Sequence, residues 1–151
     1  MATIHMHETT TLTPEQFVAG VTDFGPGRQE IITNSADGDL EVHSQSPRRA
    51  DVTEGKGGVW ERLQYDWSDP NRIVMRTIDS NLWGGASGHT YTMTRQADGT
   101  TAIDAVVVRE GKNVKGKLVG ALLGSVAKGG LVKAFGNTVK AIEARNGVVS
   151  R

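Results

Sequence analysis

The sequence has 151 residues, a length typical of a single domain built around one hydrophobic core. Its 17 basic and 17 acidic side chains give a formal net charge of zero, and the lack of cysteine excludes disulfides and thiolate metal sites. The charge is unevenly spread, because residues 1–108 carry a net −7 and residues 109–151 a net +7. The first residues lack the pattern of a signal peptide, and the longest uncharged apolar run has ten residues, so we expect a cytoplasmic protein.

The first elements along the chain are a strand and a helix. Thr3 to Leu12 is rich in β-branched residues and predicts a strand. Thr13-Pro14-Glu15-Gln16 has the pattern of a capping box with proline at the first helical position, which predicts a helix starting there. Gly25-Pro26-Gly27 ends that helix, and a short second helix is predicted from Arg28 to Thr33.

From Asp39 to Glu110 the hydrophobic period changes to two, which is typical of strands. Turn residues separate the segments, and such short connections favour antiparallel neighbours. The six predicted strands are Leu40–Gln45, Ala50–Glu54, Val59–Trp67, Ile73–Ile78, Ser87–Arg95 and Thr101–Glu110.

A helical period returns after Asn113. The stripe needed to cover the sheet consists of Leu131, Phe135, Val139 and Ile142. We expect Asn146-Gly147 to end this helix and Gly129-Gly130 to bend or interrupt it. Upstream, Gly116, Gly120 and Gly124 recur every fourth residue and would form one bare helix face.

The element order β-α-α-β6-α predicts an α+β fold, with about seven strands in a curved antiparallel sheet around a long C-terminal helix. We expect one domain that covers residues 1–151. The terminal helix is the only predicted element long enough to lie across the apolar face of the sheet.

The sequence resembles a bacterial branch of the START/polyketide-cyclase superfamily, also called SRPBCC, whose fold is the helix-grip. The similarity is carried by Asp23-Phe24, by Gly88–Thr92, by Arg109–Asn113 with Lys115-Gly116, and by Leu123-Gly124, Lys128, Lys133–Phe135 and Lys140–Asn146. The resemblance implies a deep cavity between the sheet and the long helix, and members bind lipids or hormones or cyclise polyketides. The glycine face either leaves space in that cavity or lets helix and sheet approach closely.

Strand parity predicts which side chains face the cavity. The more apolar set of Val59–Trp67 is the odd-numbered one, and it carries Glu61 inward. The predicted lining is mostly apolar, with Tyr65, Tyr91 and Trp83 near the rim. The candidate ligand-binding residues are Val59, Glu61, Leu63, Tyr65, Met75, Trp83, His89, Tyr91, Met93, Val107, Arg109 and Phe135.

Three of these side chains are polar or charged: Glu61, His89 and Arg109. A buried carboxylate needs a partner, so we expect Glu61 to pair with Arg109 if both point inward. In the alternative register, Glu61 lies in solvent among Arg62 and Asp66. His89 and Glu61 are the catalytic candidates, His89 because an imidazole titrates near neutral pH, although a structural histidine on a strand face is the alternative.

Other motifs give weaker indications. His5 and His7, with His43, have the residue types of a metal site, but if Ile4 and Met6 face the core both N-terminal histidines face water, and we predict no metal. No cofactor is required. Only Phe135 interleaves with the C-terminal lysines, so we predict no nucleic-acid partner.

The sequence therefore predicts a protein that binds a hydrophobic small molecule or lipid between the sheet and the C-terminal helix. One alternative is a cyclase- or dehydratase-like enzyme that uses one polar pocket residue for proton transfer. Another is a membrane-surface module that uses the basic C-terminal helix. The simplest interpretation of that helix is a solvated outer face with the lysines Lys112, Lys115, Lys117, Lys128, Lys133 and Lys140.

Overall fold

The computed structural model describes residues 1–147. Their seven strands form one curved antiparallel sheet in the order β1-β7-β6-β5-β4-β3-β2, so the first strand pairs with the last. This confirms the α+β architecture and the antiparallel meander. The strands are β1 (Ala2–Thr10), β2 (Glu41–Gln45), β3 (Arg49–Lys56), β4 (Val59–Asp66), β5 (Arg72–Ser80), β6 (Gly88–Arg95) and β7 (Thr101–Arg109).

Four α-helices accompany the sheet within residues 1–147. They are α1 (Pro14–Val21), α2 (Arg28–Ile31), α3 (Val114–Leu123) and α4 (Lys128–Arg145). The predicted capping box is present, because the Thr13 hydroxyl accepts from the Gln16 backbone amide at 3.1 Å and the Gln16 side chain accepts from the Thr13 amide at 2.9 Å. Asn113 caps α3 in the same way through the Gly116 amide at 2.8 Å.

The C-terminal helical segment is broken, but not where the sequence suggested. The break lies at residues 124–127, and α3 and α4 are bent by 73° relative to each other. Gly129 and Gly130, the predicted interruption, lie inside the first turn of α4. No single helix of residues 1–147 has the length and apolar composition needed to cross a bilayer.

Helix α4 packs across the concave side of the sheet, and its stripe is the predicted one. Phe135, Val139 and Ile142 are buried, and Leu131 packs against the same core. At Gly20 in α1, an added Cβ would meet the Ile142 side chain at 2.7 Å, so the two helices are in close contact there. The apolar stripe of α4 is thus used in closing the core.

The glycine face of α3 serves close packing. A Cβ at Gly116 would overlap the carbonyl oxygen of Leu82, and one at Gly120 would touch the Trp83 ring at 3.4 Å. Gly124 lies against the Ala2 side chain, where a Cβ would come within 3.3 Å. Of the two roles left open by the sequence, close approach is the one that these contacts support.

A buried ion pair holds α2 to the sheet. Arg28 is fully buried and its Nε donates to Glu54 at 2.6 Å, while Ser35 and Tyr65 also donate to the Glu54 carboxylate. The guanidinium further donates to the carbonyl oxygens of Val21 and Asp23, at 2.7 and 2.8 Å. These bonds tie the end of α1 to α2 and to strand β3.

Candidate functional site

The inward-facing residues are those that strand parity predicted. Leu63 and Tyr65 of β4, Ile73 and Met75 of β5, and Met93 of β6 are buried, as the pattern requires. The corresponding positions of β7 are Ile103, Ala105 and Val107, which are also buried. Because Glu61, His89 and Arg109 share these parities, all three point to the concave side of the sheet.

Glu61 and Arg109 form the predicted ion pair. Arg109 Nη1 lies 2.7 Å from Glu61 Oε2, and the two side chains are 11% and 13% exposed. Thr77 donates a further hydrogen bond to the same carboxylate. Burial alone would raise the pKa of Glu61, but the positive charge and hydrogen bonds of Arg109 outweigh it and hold the pKa below its usual value.

His89 extends this pair into a three-residue polar cluster, Glu61–Arg109–His89. Arg109 Nη2 lies 2.6 Å from His89 Nε2. Since a guanidinium can only donate, Nε2 accepts, and a neutral ring must carry its proton on Nδ1. The Nδ1 atom is buried and has no hydrogen-bond partner among the described residues. The cluster therefore presents one unused N–H donor.

The pKa of His89 does not suit acid–base chemistry near neutral pH. Burial, followed by the charge of Arg109, lowers this pKa to about 3. The sequence-based reason for choosing His89, an imidazole that titrates near neutrality, therefore does not apply to the folded protein. In this state His89 is a neutral hydrogen-bonding group.

Two of the three predicted rim aromatics are buried instead. Tyr65 is 1% exposed, and its hydroxyl donates to Glu54 and accepts from Arg28 Nη2. Trp83 is buried with its ring 5.2 Å from the Arg109 guanidinium carbon, a distance typical of cation–π contact. Tyr91 is partly accessible and packs its ring against Phe17 and Phe135.

The predicted ligand-binding residues fall into two groups. Those packed in the core are Leu63, Tyr65, Met75, Trp83, Met93, Val107 and Phe135. Those that keep part of their surface accessible are Val59, Glu61, His89, Tyr91 and Arg109. The second group contains the three residues of the polar cluster, which therefore keeps some solvent exposure, while the remaining predicted lining is mostly filled by packing.

Two clefts lie outside the space between the sheet and α4. One, of about 690 Å³, runs between α3 and the start of β1 and has Arg109 and Lys117 on its walls. The other, of about 600 Å³, lies on the convex face among Arg49, Asp51, Gln64 and Arg76. Neither is the cavity implied by the family resemblance, but the first adjoins the arginine of the polar cluster.

The comparisons with known proteins give the fold. No protein-family model matches the sequence, and no curated protein is similar to it. The chain is similar to the solved structure of a START superfamily protein from Mycobacterium smegmatis, with a TM-score of 0.67 at 14% identity over 93% of this chain and 98% of the other. For the ZhuI aromatase/cyclase from a Streptomyces species the values are 0.69, 12%, 97% and 98%. For TTHA0849 from Thermus thermophilus they are 0.69, 15%, 95% and 95%.

This chain has the helix-grip fold. At sequence identities this low, the structural similarity establishes the fold alone, and the chemistry has to be argued from the site itself.

The three histidines outside the cluster do not come together in this fold. His5 and His7 are exposed on β1, and His43 is exposed on β2, at the opposite edge of the sheet. His7 instead pairs with Asp104 at 2.8 Å and His43 with Thr53 at 2.7 Å. A three-histidine site is therefore not formed by these residues.

The C-terminal lysines lie on solvated surfaces. All six are exposed, and Lys112 lies 3.4 Å from Asp79. The other five form no ion pair with any residue between 1 and 147. Among the basic residues from 109 to 147, Arg109, Lys112 and Arg145 do pair with acidic residues of the preceding part of the chain, Arg145 with Asp23 at 2.7 Å.

Sequence reasoning missed the Arg28–Glu54–Tyr65 group of this fold. Glu54 shares the inward parity of Ala50 and Val52, so strand alternation contained a signal for its burial. Nothing comparable marks Arg28, which follows a glycine-proline loop and would ordinarily be taken for a surface residue. Its position depends on contacts that only the folded chain provides.

Proposed function

We propose that this chain binds a hydrophobic small molecule or lipid on the concave side of the sheet, with the polar end of the ligand at the Glu61–Arg109–His89 cluster. The observation that carries the proposal is the buried, unpartnered Nδ1–H of His89. A buried donor without an acceptor costs about 1–3 kcal/mol, so a ligand oxygen placed there would be stabilised. The partly accessible side chains of Val59 and Tyr91 would contact the apolar part of such a ligand.

The cluster favours a ligand whose polar end is a neutral acceptor. Arg109 is already paired with Glu61, and its second nitrogen donates to His89. A carboxylate ligand would meet the negative charge of Glu61 without a free cation to offset it. A carbonyl or hydroxyl oxygen needs only the His89 donor. We therefore infer a ketone, ester or alcohol group as the polar end.

The alternative is a cyclase- or dehydratase-like enzyme, a class to which one of the similar structures belongs by name. Proton transfer at neutral pH requires a group that titrates near that pH. Here the pKa of His89 is lowered to about 3, that of Glu61 is lowered, and burial raises that of Tyr91 to about 12. These directions favour binding over proton transfer.

Native mass spectrometry of protein purified without denaturation tests the proposal. We expect either a co-purified apolar ligand or a defined complex after addition of a long-chain methyl ketone. His89→Phe, which fills similar space but removes the donor, should weaken the complex, whereas His43→Phe on the exposed edge strand should not. Equal affinity for both variants, or no complex with any apolar probe, would overturn the proposal.

A further inference from the structure

In helix α3 the small residues face the protein and several large apolar residues face solvent, the reverse of an ordinary surface helix. Its buried face consists of Gly116 and Gly120. Three of its five large apolar residues face solvent, with Val114 75%, Leu118 64% and Leu122 51% exposed. These three residues are spaced by four and therefore form one stripe along the helix. In a globular protein such a stripe normally faces the core.

Exposed apolar residues also occur past the end of α3, in the bend and in α4. Val126 is 81% exposed and Val132 is 44% exposed. Five of the nine large apolar residues that are exposed within residues 1–147 thus lie between positions 114 and 132. A concentration of this kind marks an interaction surface rather than scattered surface residues. We call these five side chains the α3 apolar patch.

The charged residues of the chain segment that carries the α3 apolar patch are all positive. Residues 111–142 contain no Asp or Glu. Lys115 and Lys117 lie on either side of the Val114–Leu122 stripe, about 60° and 100° from its centre around the helix. Lys128 and Lys133 flank Val132 beyond the bend. All four lysines are exposed, and none forms an ion pair with a residue of the described chain, so their charges are free to act on a partner.

We propose that the α3 apolar patch docks on the surface of an anionic lipid bilayer, with Leu118 and Leu122 in the interface and the lysines at the headgroups. An apolar stripe bordered by lysines is the pattern of helices that lie in the plane of a membrane surface. Lysines near an anionic leaflet add attraction that salt screens. A second copy of this chain is a poorer occupant, because two patches would bring like charges together.

The proposed membrane-binding element is α3, and not the stripe of the long helix α4. The stripe of α4 that suggested an amphipathic surface helix is buried in the core, whereas Leu118 and Leu122 of α3 are exposed. The proposal does not depend on a ligand at the Glu61–Arg109–His89 cluster, so the two can fail separately.

Vesicle flotation with the full chain tests the proposal, using phosphatidylcholine vesicles with and without about one third phosphatidylglycerol. We expect binding only to the anionic vesicles. This binding should weaken between about 0.1 and 0.5 M salt, because the Debye length shortens over that range and the attraction is screened. Leu118→Ser should weaken binding roughly tenfold, the scale of one exposed leucine removed from an apolar phase. Lys115→Gln with Lys117→Gln should weaken it about 25-fold, at about fivefold for each lysine.

The controls are an exposed apolar residue and an exposed basic residue away from the patch. Val42→Ser on the edge strand β2 and Arg72→Gln at the start of β5, the end of that strand away from Leu82 and α3, should leave vesicle binding unchanged. Circular dichroism of each variant shows whether it folds. Equal binding to both vesicle types, or equal effects of control and patch variants, would overturn the proposal. So would a dimer, measured by analytical ultracentrifugation, that Leu118→Ser abolishes, since a second copy would then cover the patch.

Discussion

Glu54 and Glu61 lie directly opposite each other on β3 and β4, and each carboxylate is paired with a different arginine. Arg28 of α2 reaches Glu54 at 2.6 Å, and Arg109 at the end of β7 reaches Glu61 at 2.7 Å. Like charges on facing strand positions repel unless each is offset. Each arginine therefore offsets one of the two facing negative charges and so reduces the repulsion between them. One ion pair is sealed in the core, and the other is partly accessible on the concave side.

The sealed pair should matter for stability. Glu54→Gln keeps the shape of the side chain but leaves the buried Arg28 charge without its counter-charge. We expect a loss of about 3–5 kcal/mol in the free energy of unfolding, measured by urea denaturation. The matched control is Asp51→Asn, which breaks the more exposed pair with Arg62 at 2.9 Å and should cost no more than about 1 kcal/mol. Equal losses in the two variants would contradict this assignment.

The accessible pair should set ligand selectivity. Glu61→Gln removes the charge that offsets Arg109, so the guanidinium becomes free to bind an anion. We expect the variant to gain affinity for a fatty acid relative to the methyl ketone of the same length by about tenfold or more, the scale of one charge-assisted hydrogen bond. Fluorescence displacement titrations measure both ligands. An unchanged ratio would show that Glu61 does not control the charge of the polar end.

Strand alternation predicted the inward position of Glu61 because Val59, Leu63 and Tyr65 share its parity and leave one register for an apolar concave face. Strand alternation did not predict that Tyr65 and Trp83 are buried instead of lying at the rim, since burial there depends on neighbouring loops and helices. The sequence pattern also did not predict which face of α3 turns towards the sheet. Its glycines let the backbone approach Leu82, so contact, rather than hydrophobicity, decides which face turns inward.

His89 should make the stability of the protein depend on acid pH. Its folded pKa of about 3 lies below the unfolded value of about 6.5, so the unfolded state binds the proton first. Stability from this group is fully present above pH 6.5 and falls by up to about 1.4 kcal/mol per pH unit towards pH 3. His89→Gln should lose stability less steeply over this window, as compared by urea denaturation at several pH values. Parallel curves for the two proteins would contradict the lowered pKa.

Close packing of α3 gives a matched pair of glycine substitutions. Gly116→Ala places a Cβ against the carbonyl oxygen of Leu82, so α3 must shift from the sheet, and we expect a loss of about 1–3 kcal/mol. Gly129→Ala in α4 meets no atom within 4 Å and should stabilise the protein by about 0.5–1 kcal/mol through helix propensity. Thermal and urea unfolding measure both.

A second readout is tryptophan fluorescence. Gly120 and Gly116 share the face of α3 that lies against Trp83 and Leu82, so Gly116→Ala should also change the environment of Trp83. The resulting change in fluorescence should be absent in Gly129→Ala. A Gly116→Ala protein as stable as the parent would mean that α3 is not held by this contact.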